Sequence, residues 1–205
     1  MTDVAALQAV PIAELRPTQI TLGFREVVQK RAQWRKQLRK GRRAFLSRHP
    51  VPTVLGPKSR HYLIDKHHLA RALAEEGADQ VMVEVVADLT ALSKGSFWIF
   101  LDNRSWCHPY DERGVRHDFS AIPRSLEDLR DDPFRSLASA VRRAGGFAKN
   151  TTPFSEFLWA DFFRSRMNLD VVETDFSDAV AAALGIARSK EADCLPGWCG
   201  SDPIE

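Results

Sequence analysis

The chain has 205 residues, of which 44% are hydrophobic and 27% charged, and its formal net charge is +2. This length suits one domain with a sizeable core, or a core with a helical extension. A net charge so near zero excludes the overall basic field of a dedicated DNA-coating protein. No apolar run reaches the roughly 18 residues of a membrane span, and no signal-peptide pattern opens the chain. We therefore expect a cytoplasmic protein with no membrane partner.

The N-terminal part alternates short apolar runs with one long helical pattern. Leu7 to Val10 predicts a short strand, and Ile12 to Leu15 a single helical turn. The stretch from Gly23 to Lys40 predicts one long helix with a buried stripe. The stripe residues are Val27, Trp34 and Leu38.

The other faces of this predicted helix are strongly basic, and four side chains form a candidate nucleic-acid surface: Lys30, Arg31, Arg35 and Arg39. A solvated helix face is one interpretation. A surface that binds nucleic acid or a phosphorylated ligand is the other. Acidic residues concentrate elsewhere, at Glu75-Glu76, Glu127 to Asp132 and Asp170 to Asp178, so the chain looks electrically polarised. This polarisation favours the second interpretation.

A strand, a hairpin, a helix and a further strand follow. Thr53 to Leu55 and His61 to Ile64 predict paired strands, because Gly56 to Ser59 between them is rich in turn-forming residues. Leu69 to Leu73 carries helical apolar spacing, and Val81 to Ala87 predicts a third strand. This order predicts a small mixed-sheet α/β (α+β) core.

Polar groups crowd at the predicted strand-to-helix turn, at Asp65, Lys66, His67 and His68. Asp65 can cap the helix. Free N–H groups and the helix dipole at such a turn suit a phosphate. Histidines add donors, or a general acid and base, near neutral pH. We predict that His67 and His68 hold a phosphate while Asp65 orients a group or a Mg²⁺ ion; the alternative is a capping Asp65 and a buried, satisfied histidine.

Residues 88 to 120 hold a dense polar and aromatic stretch, in which Arg104 and His108 are candidate ligand contacts. Such a stretch is either a site wall or a surface loop pinned by its own hydrogen bonds. Phe97 to Phe100 fits either a core helix or a strand. A zinc site from His67, His68, His108 and Cys107 is disfavoured, because adjacent histidines point different ways on a helix. We expect no resident metal site.

The sequence from Pro123 onward predicts mainly helices. Pro133 starts a predicted helix that stops at Gly145-Gly146, and Thr151 to Pro153 caps another, in which we expect Trp159 to be a core residue. Asp178 to Arg188 predicts a further, Ala-rich helix. We therefore expect a core over residues 8–120 and a helical extension over residues 121–205 that packs on it. No helix-turn-helix pattern is recognisable, which argues against sequence-specific DNA binding.

Several separated motifs of the chain resemble the same protein family. Asp65 to Ala72 fits the pattern Asp-x-His-His-Leu-Ala-Arg-Ala. With this run, the chain resembles the putative ParB-like nuclease family, a divergent branch of the ParB/sulfiredoxin superfamily. The resemblance covers most of residues 8–165. Further matching stretches are Leu15 to Gln19, Gly23, Glu26-Val27 with Lys30, Val54 to Pro57, and Asp132 to Leu137.

The resemblance implies a ParB/sulfiredoxin-like fold and an enzyme of phosphoesters or nucleotide phosphates. Glu26 resembles, in rough position, the glutamate base of superfamily members that phosphorylate free serine; a plain ion pair is its alternative role. Where other members carry Arg after His, this chain has Leu69, so Arg71 is the nearest guanidinium. Where sulfiredoxin has its cysteine, this chain has Lys66. Ahead of the basic helix, ligand contact or capping is expected of Thr18 and Gln19.

Three functions remain open from the sequence. The first is a ParB-like nuclease or related phosphoester enzyme. The second is a nucleotide-dependent kinase of a small hydroxyl compound. The third is a nucleotide- or DNA-binding module without turnover. Each has a nucleotide or a non-specifically bound nucleic acid as partner, and the enzymes would use Mg²⁺ with a nucleotide.

Overall fold

The computed structural model describes residues 7–200, apart from the side chain of Arg39. Its strands are β1 (Gln8–Pro11), β2 (Thr21–Leu22), β3 (Val51–Gly56), β4 (Arg60–Leu63), β5 (Gln80–Asp88) and β6 (Arg130–Asp131). Its α-helices are α1 (Phe24–Arg35), α2 (Arg39–Arg48), α3 (His67–Glu75), α4 (Lys94–Asn103), α5 (Pro133–Arg143), α6 (Ser155–Arg164), α7 (Leu169–Thr174) and α8 (Phe176–Arg188). The predicted α/β class is confirmed.

The main sheet is mixed and has the strand order β1-β5-β3-β4. The hairpin β3–β4 is antiparallel, and β5 returns parallel to β3 after α3. Helices α1 and α3 pack with one side of the sheet around Leu63 and Leu73, both fully buried. Helix α4 contributes Phe97 and Leu101 to a second cluster around Val54. Because core lies on both sides of β3, this strand is apolar at consecutive positions rather than strictly alternating.

The predicted long helix over residues 23–40 is wrong, because two helices occupy this region. Helix α1 ends at Arg35, and Leu38 is 70% exposed rather than part of a buried stripe. The break lets α2 fold back, so that Phe45 packs edge-on against Trp34 with ring centroids 5.7 Å apart. This aromatic contact between consecutive helices accompanies the break in the helical pattern.

The C-terminal helices α5 to α8 share their own core. Trp159 is fully buried there, stacks on Phe147 at 4.1 Å between centroids, and donates its Nε1–H to the Pro196 carbonyl. The prediction of Trp159 as a core residue is confirmed. Threonine capping of α6 is wrong: the cap residue is Phe154, and the Thr152 hydroxyl bonds Asn150 instead.

The two halves of the chain are interleaved. Strand β2 of the N-terminal segment pairs in parallel with β6, and α1 packs against α5. Asp131 accepts the N–H of Phe24 at the start of α1, at 2.7 Å. The boundary at residue 120 stays a prediction. These contacts bring α5 and α6 beside the strand-to-helix turn.

Candidate functional site

The strand-to-helix turn is built around a left-handed residue. Lys66 has φ 60° and precedes α3, so Lys66 and not Asp65 is the cap residue of that helix. The Asp65 carboxylate accepts the N–H of Lys66 at 2.6 Å, and Lys66 Nζ donates to the Pro50 carbonyl. No side chain of the described residues caps α3. The capping role predicted for Asp65 is wrong, and the first turn of α3 is left without a side-chain cap.

His67 anchors the N-terminal segment to this turn. The ring is 4% exposed, and its Nε2 accepts the backbone N–H of Thr18 at 3.2 Å. The Thr18 hydroxyl donates to the Leu63 carbonyl and lies 3.4 Å from the same nitrogen. Burial, with a smaller effect of neighbouring His68, lowers the pKa of His67 to about 3. The ring is therefore neutral at physiological pH, with its proton on Nδ1.

His68 is held in a similar way. Its Nε2 accepts the N–H of Gly23 at 3.1 Å, just before α1. Burial first, then the charges of Arg135 and Lys30, lowers the pKa of His68 well below its usual value. Glu26 Oε2 lies 3.3 Å from the same Nε2. Because a backbone N–H can only donate, the neutral ring accepts from Gly23, and Glu26 takes its hydrogen bonds from arginines instead.

Glu26 lies in an ion-pair network with α5 and α6. Its two carboxylate oxygens bind Arg143 at 2.9 Å and Arg135 at 3.2 Å. Glu156 pairs with Arg142 at 3.2 Å and lies 3.9 Å from Arg135. Glu26 is thus an ion-paired carboxylate, which suits holding a guanidinium in place.

Arg135 is the most enclosed cation of this network. The residue is 8% exposed, and its guanidinium lies 5.2 Å from the Phe157 ring centroid. Its Nε is buried and has no hydrogen-bond partner among the described residues. A buried donor without a partner is costly. The Nε–H of Arg135 is therefore an unsatisfied buried donor at the cleft wall, while its Nη1 binds Glu26 and Ser139.

These groups line one cleft of about 740 Å³, which lies between the first turns of α3 and α6. Its cations are Lys30, Lys66, Arg135, Arg142 and Lys149, and its carboxylates are Glu26, Asp65 and Glu156. Helix α6 also lacks a side-chain cap, since Phe154 at φ 57° precedes it. Two uncapped helix N-termini and an excess of cations favour an anion in this cleft.

Other predicted residues have structural partners. Gln19 lines the cleft and donates its side-chain N–H to the Thr21 carbonyl at 2.8 Å. His108 packs on Phe157 at 4.0 Å between centroids, and burial lowers its pKa to about 3. Arg104 stacks on Trp106 at 4.9 Å, and Arg71 binds the Leu126 carbonyl at 2.6 Å. Arg71, Arg104 and His108 lie outside the cleft lining.

The basic surface of α1 is partly neutralised. Arg31 pairs with Glu75 and Glu76, and Arg35 pairs with Glu76. Hydrogen bonds from Arg35 and Arg31 lower the pKa of Glu76 to about 2. The compensating acids of α3 therefore lie against the basic helix, contrary to the expected charge separation. Lys30 faces the cleft instead, and the predicted Arg39 contact lies outside the described side chains.

The part of the site that α5 and α6 contribute was not predicted from the sequence. Arg135, Arg142 and Glu156 were not among the predicted site residues. A signal was present: Arg135 lies in the Asp132 to Leu137 motif, and Arg142 follows it two helical turns later. Glu26, the partner of Arg135, is however 109 residues away.

Comparison with known proteins shows which family the chain belongs to. A profile described as "Putative ParB-like nuclease" matches residues 8–165, so the chain belongs to this family. Its structure is similar to the crystal structure of protein Atu1540 from Agrobacterium tumefaciens, with a TM-score of 0.89 and 48% sequence identity. The similarity covers 96% of this chain and 100% of that one. No curated protein matches the chain. The predicted family is confirmed.

Metal-ligand clusters and membrane-spanning helices are both absent from residues 7–200. In residues 7–200, no three His, Cys, Asp or Glu side chains are grouped so that they could hold a metal ion. Within the same residues, every helix is too short or too polar to cross a membrane. The cytoplasmic location stays a prediction.

Proposed function

We propose that the protein is an enzyme of phosphoesters or nucleotide phosphates, of the ParB-like nuclease kind, with its phosphate site in the cleft between α3 and α6. The observation that carries this proposal is the meeting of two uncapped helix N-termini with the partly unpartnered Arg135. Helix N-termini bind phosphate through N–H groups and the dipole. Arginine adds charge and directed donors.

The neutral histidines and the charged side chains of the cleft would have different roles. Neutral His67 and His68 use Nε2 to hold the backbone of Thr18 and Gly23, so only an Nδ1–H remains for a ligand. Charge on a phosphate would then be stabilised by Lys30, Arg135 and Arg142, and not by an imidazolium. Such catalysis rests on positioning and electrostatics.

In this proposal a magnesium ion would arrive with the nucleotide. Mg²⁺ in such sites uses one or two carboxylates and the substrate phosphates. Glu26 and Glu156 are paired with arginines, whereas Asp65 forms no ion pair with any described side chain. Asp65 would therefore be the protein ligand, and the ion would supply further charge neutralisation.

The second candidate is a nucleotide-dependent kinase of a small hydroxyl compound. The observation that favours it is the position of Glu26, which lines the cleft from the N-terminal segment. In this function Glu26 would accept the hydroxyl proton, once a bound phosphate competes for Arg135. A non-catalytic nucleotide- or DNA-binding module would need the cations alone.

The test is a binding titration with ATP, ADP, CTP and short DNA, with and without Mg²⁺. We expect Lys30→Gln and Arg142→Gln each to weaken nucleotide binding by about tenfold, since charged hydrogen bonds contribute about 1.5–3 kcal/mol. Lys190→Gln, an exposed cation outside the cleft, is the matched control. Nucleotide binding that both cleft variants leave intact would refute the site.

A second variant separates binding from turnover. Glu26→Gln removes a carboxylate from a cationic cleft, so phosphate affinity should hold or rise. Loss of phosphate transfer to a hydroxyl compound with retained ATP binding would select the kinase. Retained hydrolysis of a phosphodiester would exclude Glu26 as an essential group and favour the nuclease.

A further inference from the structure

A second pocket lies apart from the cleft and has a different character. It has a volume of about 360 Å³ and is lined by residues from the β3–β4 turn, β4, α4 and the segment after Asp118. It shares no lining residue with the cleft. Its size is at the small end for ligand sites, which span about 300–1,000 Å³. The pocket is therefore large enough for a single small ligand.

The charge in this pocket has one sign. Its charged lining residues within the described chain are all cations: Arg16, Lys58, Arg60, Lys94 and Arg124. The nearby Asp118 carboxylate accepts the N–H of Ser120 at 2.8 Å and also interacts with the charges of Lys94 and Arg116. Five cations from four separate segments meet here without a carboxylate in the wall. Their mutual repulsion would be relieved by an anion.

Aromatic rings form the apolar part of the same wall. Trp98 and Phe119 are nearly parallel, with an interplanar angle of 12° and centroids 5.9 Å apart. Tyr62 meets Trp98 edge-on at 5.7 Å and fixes the orientation of the indole. Trp98 and Phe119 are only half-buried, so part of each ring remains accessible. Aromatic faces beside cations are the arrangement that binds nucleobases and their phosphates together.

Arg16 gives the pocket a preorganised donor. Its guanidinium donates to the Arg124 carbonyl, which joins two walls of the pocket. Its Nε is buried and has no hydrogen-bond partner in the described part of the chain. The backbone of Arg16 is fixed to β4 through His61 and Leu63. The guanidinium is therefore held in place before any ligand binds.

We propose that this pocket binds one nucleotide unit, with the base on Trp98 and Phe119 and the phosphate on the surrounding cations. The unit comes from a free nucleotide or from a single strand, since both present the same base and phosphate. This site is independent of the cleft between α3 and α6. It holds nucleic acid or nucleotide whether or not the cleft performs chemistry.

The experiment measures binding of the full chain to four probes: a labelled short oligothymidine strand, thymidine monophosphate, thymidine and inorganic phosphate. We expect Lys58→Gln and Arg124→Gln each to weaken binding about three- to tenfold at low salt, and to lower the salt slope by about one. Trp98→Leu should weaken binding at least fivefold. Phe119→Leu repeats this test at the second ring, with circular dichroism to verify folding. Lys190→Gln controls for loss of an exposed cation.

The same series is run in a Lys30→Gln/Arg142→Gln background, which impairs the cleft. Pocket effects that persist there support a separate site, and effects that vanish overturn it. Binding by the strand alone assigns a single-stranded ligand, whereas equal binding of thymidine monophosphate assigns the free nucleotide. If the cation variants weaken binding but neither ring variant does, the surface binds polyanions without recognising a base, and the proposal is overturned. The proposal is also overturned if none of the four probes binds.

Discussion

Buried histidines should make the protein sensitive to mild acid. His67 accepts the Thr18 N–H through Nε2, so it must stay neutral in the folded state. Its pKa falls from the usual 6.5 to about 3 on folding. As pH falls below 6.5, the unfolded chain takes up this proton first, so stability is lost between about pH 6.5 and pH 3. Glutamine at this position offers an acceptor that does not titrate.

The magnitude follows from these two pKa values. Between pH 7 and pH 5, protonation of His67 in the unfolded chain lowers the free energy of unfolding by about 2 kcal/mol. His108 has the same folded-state pKa and adds a similar loss. A typical domain has only about 5–15 kcal/mol of stability in total. His67→Gln should reduce the loss of unfolding free energy between pH 7 and pH 5 by about 2 kcal/mol. His67→Leu should reduce it by the same amount, but it leaves the Thr18 N–H without an acceptor.

The assay is urea unfolding at pH 7, 6 and 5, followed by circular dichroism, for wild type, His67→Gln and His67→Leu. For each protein we measure the change in unfolding free energy between pH 7 and pH 5. These changes are then compared between variants, so that the contributions of the other titrating groups cancel. His67→Leu should also lose about 1–3 kcal/mol at pH 7. If His67→Gln shows the same pH dependence as the wild type, the buried neutral histidine is refuted.

Two further predictions concern packing and the basic helix. Gly56→Ala should destabilise the protein by about 1–3 kcal/mol in urea unfolding, because a Cβ there would lie 2.5 Å from the Tyr62 ring; a variant as stable as the wild type would contradict the tight hairpin packing. Glu76→Gln should free Arg35 and leave Arg31 paired with Glu75 alone, and so strengthen salt-sensitive DNA binding several-fold, measured by anisotropy at two salt concentrations. Unchanged binding would mean that these arginines do not contact DNA.

The order of elements in the core could be predicted because each signal is local. Gly56 to Ser59 marks a turn, and Gly77 at φ 66° follows the end of α3. Strand periodicity and helical spacing are read within a few residues. The break between α1 and α2 could not be predicted in this way, because it accompanies the packing of Phe45 on Trp34 between two separate helices. Short windows contain no information about that contact.

The sequence by itself determined the family and the strand–hairpin–helix–strand core, since motifs and turn residues act over short distances. It also placed His67, His68 and Glu26 among the candidates. Only the tertiary structure decided their chemical state. Burial makes the two histidines neutral, and Glu26 pairs with Arg135 and Arg143, respectively 109 and 117 residues away. Desolvation and charge pairing depend on what surrounds a group in space, and chain order does not specify those surroundings.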